Sequence, residues 1–285
     1  MNRRGCGSLA LFLVVTLISI ASAQTTIQVP ADQPSIQAAI NAASNGDTVL
    51  VAPGTYHERL DFLGKAITVA STSGPAATTI DGDLAGTVVV FHTTETSASV
   101  LRGFTVTHGK DTSGGYYEAG GIAIMGASPV ITDNVITDNQ GCDGIGIYSA
   151  GGSPIIQNNT ISNNRQTTCA GGTGGGGISL HISGNAQVIG NTITGNYHGS
   201  LGGGIAVSYG GTPTIQNNII SKNSASDGGG IVIFNGAVPR MIQNLIVDNV
   251  GGGMRGTAPL KITMPPPSLA LFFEMMLFWM VGVPP

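Results

Sequence analysis

Gly203-Gly204-Ile205-Ala206-Val207 begins a pattern that this chain repeats, and Pro213-Thr214-Ile215-Gln216-Asn217-Asn218-Ile219-Ile220-Ser221-Lys222-Asn223 completes it. In every copy a marker asparagine stands two residues before an isoleucine, and a second asparagine follows after five residues. The markers are separated by 25, 32, 27 and 26 residues; they are Asn134, Asn159, Asn191, Asn218 and Asn244. The second asparagines are Asn139, Asn164, Asn196, Asn223 and Asn249. A repeat of this length predicts a solenoid, in which each copy lies on the one before it.

The residue types within the repeat predict strands. β-Branched residues alternate with small polar ones, and glycine and asparagine supply the left-handed turns between strands. Each coil has room for three short strands, and each strand pairs in parallel with its equivalent about 4.8 Å away. We expect the stacked asparagines to hydrogen-bond as ladders. Phe104 occupies the marker position one coil earlier, so the first ladder is expected to begin at Asn134.

The Gly-Gly-Gly-Ile and Pro-x-Ile-x-Asn-Asn-x-Ile-x-x-Asn segments resemble the right-handed parallel β-helix repeats of the pectin lyase-like superfamily. The resemblance covers about residues 27–263, and the segment from Gly46 to Tyr56 looks like the amino-terminal signature of its secreted members. It implies an all-β chain that forms a right-handed parallel β-helix solenoid with a short amino-terminal capping helix. Because this fold hosts many activities, function has to be argued from particular side chains.

The amino terminus has the features of a secretory signal peptide. Met1-Asn2-Arg3-Arg4 precedes a mostly apolar run, and Ala21-Ser22-Ala23 is a typical cleavage site. We therefore expect residues 1–23 to be removed, and the mature protein to be secreted, periplasmic or at the cell surface. A retained membrane anchor is the alternative, although the apolar run is short for a membrane span.

The composition excludes one class of partner. The net charge is −4, only 9% of the residues are charged, and the chain has no basic stripe. Nucleic-acid binding is therefore not expected. We expect the mature β-helix to be a monomer with no membrane span.

Three segments follow the signal peptide. Residues 24–59 are the predicted amino-terminal cap, in which an amphipathic helix over Pro34–Ala43 covers the open end of the coil. Residues 60–263 contain the β-helix repeats. Residues 264–285 form an anomalous apolar tail that contains the only tryptophan. This tail is a membrane anchor, a cap over the last coil or an out-of-frame end of a longer solenoid, and we favour the last interpretation.

Cys142 and Cys169 are the only cysteines after the predicted cleavage site. They occupy corresponding loops of consecutive coils, and the rise per coil matches the usual Cα separation in a disulfide, about 4.4–6.8 Å. Because the expected compartment is oxidising, we predict that the two cysteines form a disulfide. Two free thiols are the alternative.

By resemblance to pectate-type β-helix enzymes, a polymer is expected on the strand that follows the longest loops. In this chain those loops lie between the second asparagine and the next Gly-Ile pair. Alternation along the strand predicts two outward columns. The first column is small and consists of Ala123, Gly146, Ser179, Ala206 and Val232. The second column has larger side chains and consists of Met125, Tyr148, His181, Ser208 and Phe234.

The second column is the predicted substrate-binding surface, with Met125, Tyr148, His181 and Phe234 as its binding residues. A row of aromatic rings beside a flat parallel sheet suits stacking against the sugar rings of a polysaccharide. The same residue types are also common on any exposed sheet.

Cleavage of an acidic polysaccharide by β-elimination needs a cation beside the uronate carboxylate and a base for the adjacent proton. In pectate lyases, by resemblance, acidic residues that hold Ca²⁺ perform the first task and an arginine or lysine performs the second. The catalytic candidates here are Asp143, Arg165 and His181. Other polar residues near this face are Asp111, Glu118, His198 and Asp227. Because the sequence places no three acids on adjacent coils at this strand, Ca²⁺ is a possible cofactor without a defined site.

A glycoside hydrolase would instead need two carboxylates about 5–9.5 Å apart. Asp111 or Glu118, together with Asp143, can meet that condition from neighbouring coils.

Two other pairs each have two interpretations. Asp81 and Asp83 suit either Ca²⁺ ligation or a turn, and His57 with Glu58 suits either an acid–base pair or a solvated surface. The five histidines are scattered along the sequence, which argues against a copper or zinc site.

The predicted secretion, fold and aromatic column fit an enzyme and a non-catalytic carbohydrate-binding protein equally, and the few charged groups on the presumed groove favour binding. The resemblance, through the best-known activities of the superfamily, implies a polysaccharide-processing protein similar to pectate lyases, and we favour this interpretation. It would act on or bind an acidic glycan along the β-helix groove, with polysaccharide lyase as the enzyme class. The alternatives are a non-catalytic carbohydrate-binding or cell-surface attachment protein, and a structural spacer.

Overall fold

The computed structural model describes residues 24–92, 94–111, 119–167, 174–252, 254–256 and 261–263. The predicted signal peptide and the apolar tail lie outside these residues, as do Glu118 and Cys169. Within the described ranges the chain forms one short helix and 28 short strands.

The first part of the chain contains β1 (Thr26–Val29), α1 (Ile36–Ala42), β2 (Thr48–Val51), β3 (Gly54–His57), β4 (Leu60–Asp61), β5 (Thr68–Ser71), β6 (Thr78–Asp81), β7 (Val89–His92), β8 (Val100–Arg102) and β9 (Thr105–Thr107). The middle part contains β10 (Ile122–Met125), β11 (Val130–Thr132), β12 (Val135–Thr137), β13 (Gln140–Gly141), β14 (Ile147–Ala150), β15 (Ile155–Gln157), β16 (Thr160–Ser162), β17 (Arg165–Gln166), β18 (Ile178–His181), β19 (Gln187–Ile189) and β20 (Thr192–Thr194). The last part contains β21 (Ile205–Ser208), β22 (Thr214–Gln216), β23 (Ile219–Ser221), β24 (Ile231–Ile233), β25 (Arg240–Ile242), β26 (Leu245–Val247), β27 (Met254–Gly256) and β28 (Lys261–Thr263).

These strands form three long parallel sheets. The first sheet has ten strands in the order β1-β2-β5-β8-β11-β15-β19-β22-β25-β28. The second sheet has eight strands, β4-β7-β10-β14-β18-β21-β24-β27, and the third has β3-β6-β9-β12-β16-β20-β23-β26. A small fourth sheet pairs β13 with β17. Each coil contributes one strand to each long sheet, which confirms the predicted parallel β-helix.

Both predicted asparagine ladders are present. Each side-chain Nδ2 donates a hydrogen bond to Oδ1 of the asparagine one coil on, at 2.9–3.1 Å in the first ladder and 2.9–3.0 Å in the second. The backbone N–H of Phe104 donates to Oδ1 of Asn134 at 3.0 Å, so the first ladder begins at the predicted coil. The ladders satisfy buried polar groups at the corners, where the backbone leaves the sheets.

The interior of the coil is a stack of aliphatic side chains. The residue three positions before each marker asparagine is at most 3% exposed; these residues are Ile131, Ile156, Val188, Ile215 and Met241. Toward the amino-terminal end the stack includes aromatic rings, and the centroids of Phe62 and Phe91 lie 4.2 Å apart. One face of the second sheet packs against this core, so alternate side chains of its strands lie on the opposite face.

Helix α1 covers the amino-terminal end of this core, and side chains from the next coil hold both of its ends. The Glu58 carboxylate accepts the backbone N–H groups of Ile36 and Gln37, each at 2.9 Å. At the other end, Nζ of Lys65 donates to three carbonyl groups at 2.7–2.8 Å. Both contacts match the charge preference of helix ends. The short capping helix is confirmed, and Glu58 is a helix-capping residue rather than one half of an acid–base pair.

The described part of the chain contains no helix with the length and hydropathy that a membrane span requires.

Candidate functional site

The second sheet carries the columns predicted as the binding surface, but the register at β14 differs from the prediction. Ile122 pairs with Ile147, so Tyr148 lies beside Ala123. Ala150 therefore takes the place predicted for Tyr148, between Met125 and His181. Tyr148 is only 1% exposed. Its predicted role in an exposed sugar platform is wrong, because the slip of two residues moves its ring into the first column.

Glycine-rich loops cover the first column. Its members, Ala123, Tyr148, Ser179, Ala206 and Val232, are each at most 4% exposed. A Cβ atom on Gly174 would lie 2.6 Å from the Cβ of Ala206, and one on Gly202 would lie 2.8 Å from Cγ1 of Val232. The loops approach the strands this closely because they have no side chains there. The open groove expected beside the backbone is therefore filled by the protein itself.

An exposed apolar surface remains where β18, β21 and β24 end. We call it the aromatic ledge, and it consists of His181, Ile182, Tyr209 and Phe234. The ring centroids of His181 and Tyr209 are 4.5 Å apart, and those of Tyr209 and Phe234 are 6.4 Å apart. Ile182 is 57% exposed and Tyr209 is 45% exposed. Three successive coils thus present one row of rings to solvent.

Two residues of the ledge adopt a backbone conformation that is unfavourable for them. Ile182 has φ of 53° and Tyr209 has φ of 54°, whereas the two preceding coils have Gly126 and Gly151 at this turn. The left-handed region costs a residue with a Cβ about 1–2 kcal/mol relative to glycine. Burial does not offset this cost, because both side chains are exposed. The exposed Leu63 and Leu84 adopt the same conformation elsewhere in the chain. At the ledge this strain coincides with a row of rings on neighbouring coils, and that combination marks the ledge as a candidate site.

The imidazole of His181 is neutral at pH 7. Burial lowers the pKa of His181, and the negative charge of Asp143 opposes that effect without reversing it. Nδ1 of His181 lies 3.4 Å from Oγ of Ser208 on the next coil. A neutral, half-buried ring can present its face to an uncharged ligand.

Asp143, a predicted catalytic residue, is buried beneath this region and is only 2% exposed. One of its oxygens accepts the N–H of Gly174 at 2.9 Å and lies 3.8 Å from Nε2 of His198. Nδ1 of the fully buried His198 accepts two backbone N–H groups of its own loop. Nε2 therefore carries the proton and donates to the carbonyl of Cys142 at 2.9 Å. His198 links two loops through these hydrogen bonds.

The remaining predicted polar residues do not join the ledge. Arg165 is exposed on β17, which pairs with β13 rather than with a strand of the second sheet. Asp111 is 7% exposed, Asp227 is half-buried, and Glu118 lies outside the described residues. Of the three catalytic candidates, the structure relates Asp143 to His181 and places Arg165 on a different sheet.

Sequence reasoning missed Tyr209. The residue falls one position after the strand, where two earlier coils have Gly126 and Gly151. An aromatic residue directly before Gly210-Gly211 was the available signal.

The family described as right handed beta helix region matches residues 91–258. No curated protein matches the sequence. Three similar solved structures are pectin methylesterases. One is a variant in complex with hexasaccharide IV (10% identity, TM-score 0.47, covering 93% of this chain and 99% of that chain). The second is the deglycosylated enzyme from Aspergillus niger, with 15% identity and a TM-score of 0.40, covering 92% of this chain and 97% of that chain. The third is the carrot enzyme, with 13% identity and a TM-score of 0.40, covering 88% of this chain and 91% of that chain. At these identities the likeness concerns the fold alone. Because the family match spans more than half of the sequence, this chain belongs to the right-handed β-helix family.

Proposed function

We propose that this protein is a secreted carbohydrate-binding protein that holds a neutral polysaccharide on the aromatic ledge. The observation that carries the proposal is the pair Ile182 and Tyr209, which place exposed apolar side chains on strained turns where earlier coils have glycine. The rings of His181, Tyr209 and Phe234 repeat from coil to coil, as the units of a polymer do. A row of this kind offers a stacking face to each of several successive sugars.

The charge around the ledge favours a neutral glycan over the acidic glycan expected from the sequence. The strands, loops and turns that form the ledge, residues 174–185, 201–211 and 228–239, contain no lysine or arginine. The nearest charge with a resolved effect on the ledge is the carboxylate of Asp143, which is negative. A uronate chain would therefore meet repulsion without a compensating cation.

Polysaccharide lyase activity is a second candidate, supported by the effect of Asp143 on His181. In that case neutral His181 would be the base, because Arg165 lies on another sheet. The test is incubation with polygalacturonate, with and without Ca²⁺, followed by the ultraviolet absorbance of unsaturated products. Turnover that is lost in His181→Ala would support the lyase, and absence of turnover would leave binding as the function.

Removal of the Tyr209 ring should weaken binding to neutral polysaccharides such as xylan or β-glucan. We expect Tyr209→Ala to lose at least about fivefold in affinity, equivalent to about 1 kcal/mol, since the stacking face is gone. Tyr209→Gly should lose as much affinity while its melting temperature does not fall, because glycine relieves the left-handed strain. Affinity electrophoresis and thermal unfolding measure the two effects.

Tyr197→Ala is the matched control. Tyr197 is 41% exposed, but it lies at the corner that follows the second ladder and pairs with Arg165 rather than with the ledge. Its replacement should leave affinity unchanged. Equal binding by Tyr209→Ala and the unaltered chain, or no binding to any neutral glycan, would refute the proposal.

We also propose that the mature protein begins at Gln24 and contains a Cys142–Cys169 disulfide. Support comes from the β13–β17 pair, in which Gly141 lies opposite Gln166 and the N–H of Thr167 donates to the carbonyl of Gly141 at 3.2 Å. The two described backbones therefore lie side by side at Gly141 and Thr167, one residue before Cys142 and two residues before Cys169. Intact mass of the secreted protein should show no alkylation before reduction and two alkylated thiols after it. Alkylation of both thiols in the unreduced protein would contradict the disulfide.

A further inference from the structure

Three successive coils near the amino-terminal end bring histidine and aspartate side chains together. β3 ends at His57 and β6 ends at Asp81, and the register places these two residues side by side. Asp83 lies in the turn after β6, and His108 follows directly after β9 on the next coil. Residues that are scattered in sequence thus meet at one edge of the third sheet.

The contacts within this group are short. Nδ1 of His57 lies 2.8 Å from Oδ1 of Asp83, and Nδ1 of His108 lies 2.9 Å from Oδ2 of Asp81. The backbone N–H of Asp83 donates to Oδ1 of Asp81 at 2.9 Å. One nitrogen of His57 and one carboxylate oxygen from each aspartate all lie within 4.8 Å of one another.

The group is open to solvent. The side chains of His57 and Asp83 are 60% and 58% exposed, so an ion and its water ligands can reach them from solvent.

We propose that His57, Asp81 and Asp83 bind one divalent transition-metal ion, with His108 as a positioning residue for Asp81. Ligand atoms of a tetrahedral zinc ion, bound at about 2.0–2.2 Å, are separated by about 3.5 Å. The site therefore closes by movements of about 1 Å, which the exposed side chains of His57 and Asp83 allow around the less exposed Asp81. The hydrogen bond from His108 fixes the orientation of Asp81, as outer-shell partners of metal ligands commonly do.

The imidazole selects the class of ion. Ca²⁺ prefers sites made only of oxygen ligands, whereas imidazole nitrogen suits zinc, copper and nickel. A group that includes His57 therefore suits a transition metal better than the Ca²⁺ that was one of two interpretations of Asp81 and Asp83. His92 and Asp61 form a similar exposed pair at 3.3 Å, but that pair is not part of the three-ligand group found among the described residues.

Titration of the purified, untagged protein with Zn²⁺ in a calorimeter tests the site. We expect one ion per chain, and at least tenfold weaker binding in His57→Ala and in Asp83→Asn. His92→Ala, in the matched pair, should bind as the unaltered chain does. Circular dichroism of each variant checks that it is folded. With Cu²⁺ as the probe, electron paramagnetic resonance should show nitrogen coordination that disappears in His57→Ala.

His108→Ala should weaken Zn²⁺ binding severalfold without removing the nitrogen signature of His57. No saturable Zn²⁺ binding, or binding that His57→Ala and Asp83→Asn leave unchanged, would overturn the proposal. Preferential Ca²⁺ binding that is indifferent to His57→Ala would overturn it as well. None of these results depends on the aromatic ledge, so the metal site and the glycan proposal stand or fall separately.

Discussion

Gly177→Ala is expected to lower the free energy of unfolding by about 3 kcal/mol or more, because the interior has no room for one methyl group. A Cβ at this position would lie 2.6 Å from the carbonyl oxygen of Gly204 and 2.9 Å from Cγ2 of Ile193. The carbonyl belongs to the next coil and is fixed by the sheet, so it cannot move aside without breaking strand pairing. Urea unfolding followed by circular dichroism measures the change.

The same contact recurs in every neighbouring coil, which makes the prediction general. A Cβ on Gly121, Gly146 or Gly204 would also lie 2.4–2.6 Å from a carbonyl oxygen one coil on. Gly184→Ala is the control, since its nearest neighbours would be an ordinary 3.5 Å and 3.7 Å away and its φ is not left-handed. We expect that control to be neutral or slightly stabilising. Equal stability of the two variants would show that neighbouring coils have room for an added methyl group at Gly177.

The parts of the fold that repeat could be predicted from sequence. The asparagine markers, the Phe104 register and the aliphatic interior follow from one spacing rule applied several times, and each copy checks the others. The amphipathic pattern of the cap likewise predicted α1. Agreement between many columns is what made these predictions secure.

The candidate site was harder to predict because it depends on departures from the repeat. Gly144-Ile145 and Gly146-Ile147 both fit the start of β14. The sequence analysis used the first pair, which places Tyr148 in an exposed column, whereas the structure uses the second, which places it in a buried column. Only packing decides this case: the Gly146 position has no room for a side chain, and Asn164 and Gly177 lie against it.

Contacts between loops and strands could not be predicted from the sequence either. The sequence analysis assigned glycine to the turns between strands, but several glycines lie against the second sheet and close the expected groove. The pairing of His57 with Asp83 depends on a turn whose backbone conformation has no sequence repeat to reveal it; Asp83 has φ of 50°. Periodicity therefore predicts which residues stack, whereas the irregular turns decide which side chains meet.

Asn191→Ala should lower the free energy of unfolding by about 3–5 kcal/mol, because it leaves several buried polar groups without partners. Oδ1 of Asn191 accepts both the backbone N–H and the Nδ2 of Asn159, at 2.9 Å and 3.1 Å. Its own Nδ2 donates to the carbonyl of Ile156 at 2.9 Å and to Asn218. Asn191 is 1% exposed, so water cannot replace these bonds in the folded state. The unfolding midpoint in urea measures the loss.

The position of an asparagine along the ladder should set how much unfolding free energy is lost when it is replaced by alanine. Asn244 makes the same type of contacts, donating to the carbonyl of Ile215 and accepting from Asn218, but it is only half-buried. Asn244→Ala should therefore cost less than Asn191→Ala, since water reaches the groups that it exposes. Asn185→Ala, at an exposed position on the same coil as Asn191, should change stability by less than about 0.5 kcal/mol. Equal effects of all three substitutions would mean that the ladder is only a consequence of strand pairing. We expect a graded loss instead, in which the cost follows the burial of the hydrogen bonds that each asparagine completes. That result would mean that the asparagines themselves stabilise the stacking of the coils.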